Sequence, residues 1–422
     1  MSGWTDSNQE GKDLVMPTEH LVAALDIGTT KIVALVGEVD VEGRIYVIGH
    51  GEAPAEGLKR GVVVNMEKTV TAIRKAIDDA QMISGTEIDR VTAGIAGEHV
   101  RSINSHGVIA VSRTDNEITP ADVNRSIEAA RAVAIPVDRE IIHVIPQEFN
   151  VDEQSNIMNP IGMNGVRLEV EAHIVTASVT TAKNIYRAME RCNLAIEHIV
   201  LESLALSSVL LTEDETDSGV ILVDIGGELT NVSVFFDGAI RHTGTVPLGG
   251  RNITNDIAIG LRTSPFEAEN LKTGFGAAMS SYVDSSEMIP LHRTNGKSGK
   301  EISRNILASI IEPRLEEIIS LVMREIRQAG LLHIPTAGVV LTGGGALLPG
   351  ATQLAEQLMD MPARLGAITG IENTPDELRN PRYATVHGLL SYAVQHEPMH
   401  AGKKENLRGF IRKFENWIAR QF

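Results

Sequence analysis

LDIGTTKI at residues 25–32 and VDIGGELTNVSV at residues 223–234 carry one pattern twice. Each is a short apolar strand ending in Asp, then a glycine turn, then a β-branched strand. The glycines, Gly28 in the first copy and Gly226 and Gly227 in the second, permit a tight hairpin whose backbone N–H groups turn toward one point. A chain can hold an anionic phosphate this way without a helix N-terminus. Asp26 and Asp224 would then face a metal, since Mg²⁺ keeps several waters and is often reached by one or two carboxylates. A single Asp-Ile-Gly is also an ordinary hairpin with an Asp turn residue. The duplication raises the reading to two facing phosphate loops.

The flanks repeat as well. KIVALVGEV, a turn at Glu42 and Gly43, and RIYVIGHGEA follow the first loop; NVSVFFDGAIRHTGTV, with its turn at Asp237 and Gly238, follows the second. Both predict strand, phosphate turn, strand, tight turn, strand. The chain is therefore expected to contain two related α/β lobes. A third glycine cluster, VVLTGGGALLPG at 339–350, follows a strand-like run and precedes the helical stretch ATQLAEQLM. It fits neither a Walker loop nor a dinucleotide fingerprint, because no Gly-Lys-Ser/Thr follows and Leu348 stands where a final glycine would. Without a Cβ, Gly343, Gly344 and Gly345 could lie close under a flat adenosine; a plain strand-to-helix turn is the alternative.

The ordered set LDIGTTKI, LESLALSSVL (201–210), VDIGG, AENLK (268–272) and LTGGGALLPG resembles the phosphate 1, connect 1, phosphate 2, nucleotide-base and adenosine motifs of the actin, Hsp70 and hexokinase superfamily. Within it, HVIPQEFNVD (143–152), NPIGMNGVRLEVEAHIVT (159–176) and IEPRLEEI (311–318) are similar to one family, the bacterial cell-division protein FtsA, an actin-like membrane tether of the FtsZ ring. The resemblance covers residues 20–422. It implies an α/β, two-lobed, duplicated ATPase fold with a family-specific α/β subdomain inserted in the first lobe and a C-terminal amphipathic helix.

The resemblance also assigns roles. The backbone of Gly28 and Thr29, the hydroxyls of Thr29 and Thr30, and Lys31 would hold the β- and γ-phosphates of ATP. Gly226, Gly227 and Thr230 would close from the other side. Glu202 aligns with the acid that positions the attacking water in relatives, Asp26 and Asp224 would hold Mg²⁺ through water, and Gly343, Gly344, Gly345 and Ala346 would underlie adenosine. Glu269 and Lys272 resemble a pair that contacts ribose and adenine, although an i, i+3 pair on a solvated helix face is the plainer account. The second loop departs from the DIGGGTTD of relatives, with Glu228, Leu229 and Asn231 replacing Gly, Thr and Asp. An extra acid near a triphosphate is unfavourable unless it turns outward, and a hydroxyl and a carboxylate are lost. Nucleotide binding survives this better than fast hydrolysis.

Composition sets limits. At 422 residues the chain exceeds the size at which one core keeps growing, so two or more domains are expected, and 43% hydrophobic residues can fill them. A net charge of −17 argues against nucleic acid. Cys192, the sole cysteine, cannot form an internal disulfide, which favours a cytosolic chain. No run of 18 apolar residues occurs, and the polar residues 1–20 read as a loose tail rather than a signal peptide.

Against that acidic background, NLRGFIRKFENWIARQF at 406–422 stands apart. Leu407, Phe410, Ile411, Phe414, Trp417, Ile418 and Phe422 fall on one helical stripe. Arg408, Arg412, Lys413 and Arg420, with Glu415 as the lone acid, give the other face a charge of +3. An apolar stripe with a basic back and a Trp describes a helix lying in the headgroup plane of an anionic membrane. A helix docked on the core or in a partner's groove is the alternative. Residues 395–405, polar with Pro and Gly, read as its linker.

The expected division is 21–90 and 177–215 for the first lobe, with 91–176 as the insert. The second lobe takes 216–248, an upper subdomain 249–312, and its second part within 313–394, which also returns to the first lobe. Within the insert, strands VTAGIAG and HGVIAVS precede a helix with Thr119 as N-cap and Pro120 at its first position. His143 and His173 sit in strand-like runs and read as structural. By resemblance the insert serves subunit contacts and later division proteins. The upper subdomain would bind the FtsZ C-terminal peptide, with Arg304 meeting its acidic residues, and Pro313 would mark a helix boundary. A pilus-assembly scaffold of the PilM type or a sugar kinase would share the fold; the first usually lacks the terminal helix, and no sugar-kinase Asp motif stands out. An Hsp70-type chaperone would need a longer chain.

Overall fold

The computed structural model describes residues 20–396 apart from 113–114, 292–299 and 332–335. Two hairpins built alike organise it. His20–Ile27 pairs antiparallel with Lys31–Val39, closing at Ile27 opposite Ile32. Val220–Ile225 pairs antiparallel with Thr230–Phe236, closing at Ile225 opposite Thr230. The loops 28–31 and 226–229 are thus equal in length, and Asp26 and Asp224 occupy the same register. Each meander continues as read, through Gly43 at φ 81° in the first and through Asp237 and Gly238 at φ 50° and 67° in the second.

Each hairpin belongs to its own sheet. The first runs in spatial order Ala195–Leu201, Arg90–Ile95, His20–Ile27, Lys31–Val39, Ile45–Pro54, Ile371–Glu372. The second runs Ala239–Val246, Thr230–Phe236, Val220–Ile225, Gly338–Thr342, Ala363–Leu365. Arg90–Ile95, the VTAGIAG strand assigned to the insert, in fact pairs parallel with His20–Ile27 and Ala195–Leu201. Its continuous apolar run suits a strand covered on both faces, which a half-exposed insert strand is not.

Helices cover both faces of the first sheet. Met66–Ser84 buries Val70, Ile73, Ala76, Ile77 and Ala80 at helical spacing, starts at Asn65, whose side chain accepts from the Lys68 N–H, and stops at Gly85 in the left-handed region. It lies so close that a Cβ on Gly51 would stand 1.9 Å from the Ala76 carbonyl oxygen. Ala384–His396 covers the opposite face with Val386, Leu389 and Leu390. Gln395 and His396, expected in the linker, therefore end this helix.

The insert is a four-stranded sheet in the order Val100–Ala110, Arg167–Ser178, Arg139–Val151, Gln154–Ile157. Its helix Pro120–Arg131 begins at Thr119 as read and packs Val123 and Ala130 against Phe149, Leu168 and Val170. The insert is fixed to the second lobe: Gln147 Nε2 donates to the Ile240 carbonyl at 2.6 Å and Arg241 pairs with Glu148 at 3.0 Å. Ile145 and Val175 of the insert share one core with Leu206, Val209, Val220, Leu222 and Val340, so the insert and both lobes meet in a single apolar cluster.

Arg304–Gln328 is one continuous helix, with Pro313 inside it rather than at a boundary. The missing N–H and ring clash of an interior Pro disfavour a helix. Here Leu307, Ile311, Leu315, Ile318, Ile319, Val322 and Ile326 bury a stripe that continues on both sides of Pro313, and this burial outweighs the local cost. The upper subdomain also contains the hairpin Met288–Leu291 with Lys300–Ser303. Residues 397–422, which include every apolar and basic residue of the terminal stripe, lie outside the described residues.

Candidate functional site

The loops 28–31 and 226–229 face each other across a cleft of about 760 Å³. Asp26, Gly28, Thr29, Thr30 and Lys31 line it from the first lobe, Asp224, Gly226, Gly227 and Gly250 from the second, with Glu202, Glu269, Lys272, Gly343, Gly344 and Gly345 around them. Gly227 is required by this approach, since a Cβ there would stand 2.2 Å from Thr30 Cγ2. A Cβ on Gly344 would meet nothing within 4 Å, so this glycine leaves a bare shelf open to the cleft. Two expected residues do not reach the wall. Thr230 is fully buried and donates its hydroxyl to the Leu248 carbonyl at 2.9 Å, because the strand alternation turns it inward. Ala346 packs into the second-lobe core.

Three carboxylates crowd the floor. Burial, then the neighbouring Glu52, raises the Asp26 pKa, against the attraction of Lys31. Burial, then Asp26, pushes Asp224 up to about 6, against a hydrogen bond from Asn231. Glu202 is raised well above the ordinary range by burial, Asp26 and Asp224. Asp224 and Glu202 keep some surface toward the cleft while protein surrounds them, and Lys31 is the near cation. Its Nζ donates to the Arg382 carbonyl at 2.7 Å and lies 4.1 Å from the centre of the Tyr383 ring. Burial lowers its pKa and Asp26 raises it. Among the described residues no three His, Cys, Asp or Glu side chains converge as a direct metal ligand set. A group of repelling, shielded carboxylates open to a cleft nevertheless suits a hydrated divalent cation, which would relieve their repulsion.

Glu269 and Lys272 are more than a solvated pair. Lys272 Nζ donates to Glu269 Oε2 at 2.8 Å, to Thr254 Oγ1 at 2.9 Å and to the Gly250 carbonyl at 3.1 Å, while Thr254 also bonds Glu269. The altered residues of the second loop are also placed. Glu228 turns away from the cleft: Oε2 accepts the Arg60 N–H at 2.8 Å and Oε1 pairs with Arg251. Leu229 is mostly buried at the cleft wall. Asn231 donates toward Asp224 Oδ2 at 3.5 Å and accepts from Thr245 at 3.2 Å.

Sequence reasoning missed Glu52, Arg251 and Arg382, all on the cleft wall. Glu52 accepts from the Tyr383 hydroxyl at 2.7 Å and pairs with Arg382 at 3.2 Å. Only Arg251 had a signal, the Gly249-Gly250 pair that opens its helix against the Gly226 and Gly227 carbonyls. Arg304 is engaged within the chain, donating to the Phe275 carbonyl at 2.8 Å and pairing with Glu287 at 2.9 Å. His143 accepts the Leu201 N–H at 3.0 Å, and His173 sits between Asn104 and Thr243, so both work inside the fold. No described helix is long and apolar enough to cross a membrane.

The chain shares its fold with the PilM–PilN type IV pilus biogenesis complex (TM-score 0.63, 16% identity, 88% of this chain and 98% of that chain). It shares it also with MreB 5 of Spiroplasma citri bound to AMPPNP (TM-score 0.53, 14% identity, 88% and 95%). These likenesses are of fold alone. A family model described as Cell division protein FtsA matches residues 221–388, and one described as SHS2 domain inserted in FTSA matches residues 97–176, which start after the Arg90–Ile95 strand. Curated relatives of the first name are similar along nearly the whole chain. The protein of Pseudomonas aeruginosa is 45% identical (89% of each chain), that of Neisseria meningitidis 39% (96% of this chain, 99% of the relative), and that of Escherichia coli K12 35% (95% and 98%). With two family models in the expected order and relatives of this identity across the chain, the protein belongs to the FtsA family of cell-division proteins.

Proposed function

We propose that the chain binds ATP with Mg²⁺ in the cleft between its lobes and polymerises on the inner face of the cytoplasmic membrane. There it tethers FtsZ filaments and recruits later division proteins. The observation that carries this reading is the pair of matched glycine loops facing each other over Asp26, Asp224, Glu202 and Lys31. Gly28, Thr29, Thr30 and Lys31 would hold phosphate from one side and Gly226 and Gly227 from the other; Glu269, Lys272 and the shelf at Gly343–Gly345 would receive ribose and base. Asp26 and Asp224 would hold a hydrated Mg²⁺, which would neutralise charge on the β- and γ-phosphates. Glu202 would position water. Attachment would come from the amphipathic stripe at 406–422, each basic residue adding about 1 kcal/mol at an anionic surface and polymerisation multiplying the anchors. The PilM-like alternative rests on a likeness that shows the fold alone, and the terminal stripe speaks against it.

Two measurements test this. Calorimetric titration with Mg·ATP should show binding to the native chain and a loss on Asp224→Ala or Gly344→Leu, the second because its side chain would enter the cleft. Undiminished binding in both would make the glycine turns merely structural. Sedimentation with anionic vesicles should capture the native chain and lose it on deletion of 406–422 or Trp417→Glu; unchanged capture would refute the tether.

A further inference from the structure

Glu228 stands where the DIGGGTTD pattern has glycine, and its carboxylate touches both lobes at once. Oε2 accepts the backbone N–H of Arg60, in the first lobe, at 2.8 Å. Oε1 pairs with the guanidinium of Arg251, in the first turn of the second-lobe helix Gly250–Leu261. The carboxylate is well shielded, its side chain 12% exposed. The first-lobe partner is held in place independently. Arg60 adopts φ 48° between Gly57 and Gly61, both at positive φ, its guanidinium pairs with Glu98 at 3.1 Å, and a Cβ on Gly61 would stand 2.4 Å from the Ala96 carbonyl. On the second lobe the main chain is fixed, since the Arg251 N–H donates to the Gly227 carbonyl at 2.6 Å, while the Arg251 guanidinium is half exposed. A fixed backbone donor on the first lobe and a guanidinium on the second thus converge on a single anion.

A terminal phosphate between two facing loops does the same thing: it is an anion that collects N–H groups and cations from both lobes. We propose that Glu228 is a built-in inter-lobe latch, a carboxylate that bridges the lobes beside the cleft and holds them closed without nucleotide. The idea that ATP otherwise drives closure rests on the nucleotide reading above; the latch itself is defined in the nucleotide-free chain. Charge-assisted bonds of this kind favour the bridged state, and any such bias raises the closed population before ligand arrives.

The test uses the full chain with Cys192→Ser and spin labels at Met82→Cys and Ile259→Cys, exposed positions on the first and second lobes. Inter-label distances are measured by pulsed electron resonance with and without Mg·ATP, and thermal melting checks folding. The native background should give one narrow distribution in both states. Glu228→Gly should give a longer or broader distribution without nucleotide, closing on Mg·ATP, and Arg251→Gln should fall between. A nucleotide-free Glu228→Gly chain as closed as the native one overturns the latch, as does a native chain that is open until Mg·ATP is added. Should titration show that the native chain binds no ATP, the nucleotide reading fails, yet the nucleotide-free comparison still decides the latch.

Discussion

Asp224 makes the cleft's electrostatics measurable. Its folded-state pKa of about 6 lies above its ordinary value, so the folded chain holds a proton that the unfolded chain has released. The sign follows: without metal, the cost of this carboxylate is absent below about pH 4, grows as pH rises and is complete above about pH 6. Asp224→Asn should therefore stabilise the metal-free protein by about 1–3 kcal/mol at pH 8, with the gain vanishing toward pH 4. Urea unfolding with a chelator checks this, and a pH-independent gain would contradict it. Mg²⁺ should raise native stability at pH 8 more than that of the variant. Asp224 was legible because its strand and glycines lie within one short stretch that the chain carries a second time at 25–32. Glu52 and Arg382 were not, because their pairing joins residues far apart in the chain and no local periodicity marks such a meeting.

Among the elements, the long helix through Pro313 invites a direct measurement. Pro313 is exposed, so replacing it with Ala restores a backbone donor without disturbing the buried stripe. Pro313→Ala should raise stability by about 1–3 kcal/mol in urea unfolding; a loss would mean that the Pro ring itself is needed for packing. The Pro misled because its local preference was weighed without the tertiary burial that overrides it. The two meanders were readable for the opposite reason, since glycine turns, β-branched runs and burial all demanded one structure. The terminal stripe awaits its own test. A peptide of residues 406–422 should show little helix in water, being near the length at which isolated helices are marginal, and become helical with anionic vesicles by circular dichroism. Salt should weaken that change, because headgroup attraction decays over about 8 Å at physiological ionic strength.

For the whole molecule, on the proposal that the cleft binds ATP, the altered second loop predicts slow hydrolysis. Asn231 supplies an amide where the DIGGGTTD pattern has a carboxylate, Leu229 supplies no hydroxyl, and Glu228 is occupied with Arg60 and Arg251. Turnover should fall far below about 1 s⁻¹, and restoring Glu228→Gly, Leu229→Thr and Asn231→Asp together should raise it in a phosphate-release assay; brisk hydrolysis by the native chain would refute this. The fold class could be read because duplication repeats its evidence. The joining of the insert to both lobes could not, because Ile145, Val175 and Val340 carry no mark of their common destination. That shared core has a mechanical meaning. A pull on the outer sheet is borne at once by Gln147 on the Ile240 carbonyl, by Arg241 on Glu148, and by apolar contacts beneath both halves of the molecule. The insert is thus a strut rather than a pendant, and a load hung on it would be passed to both lobes together.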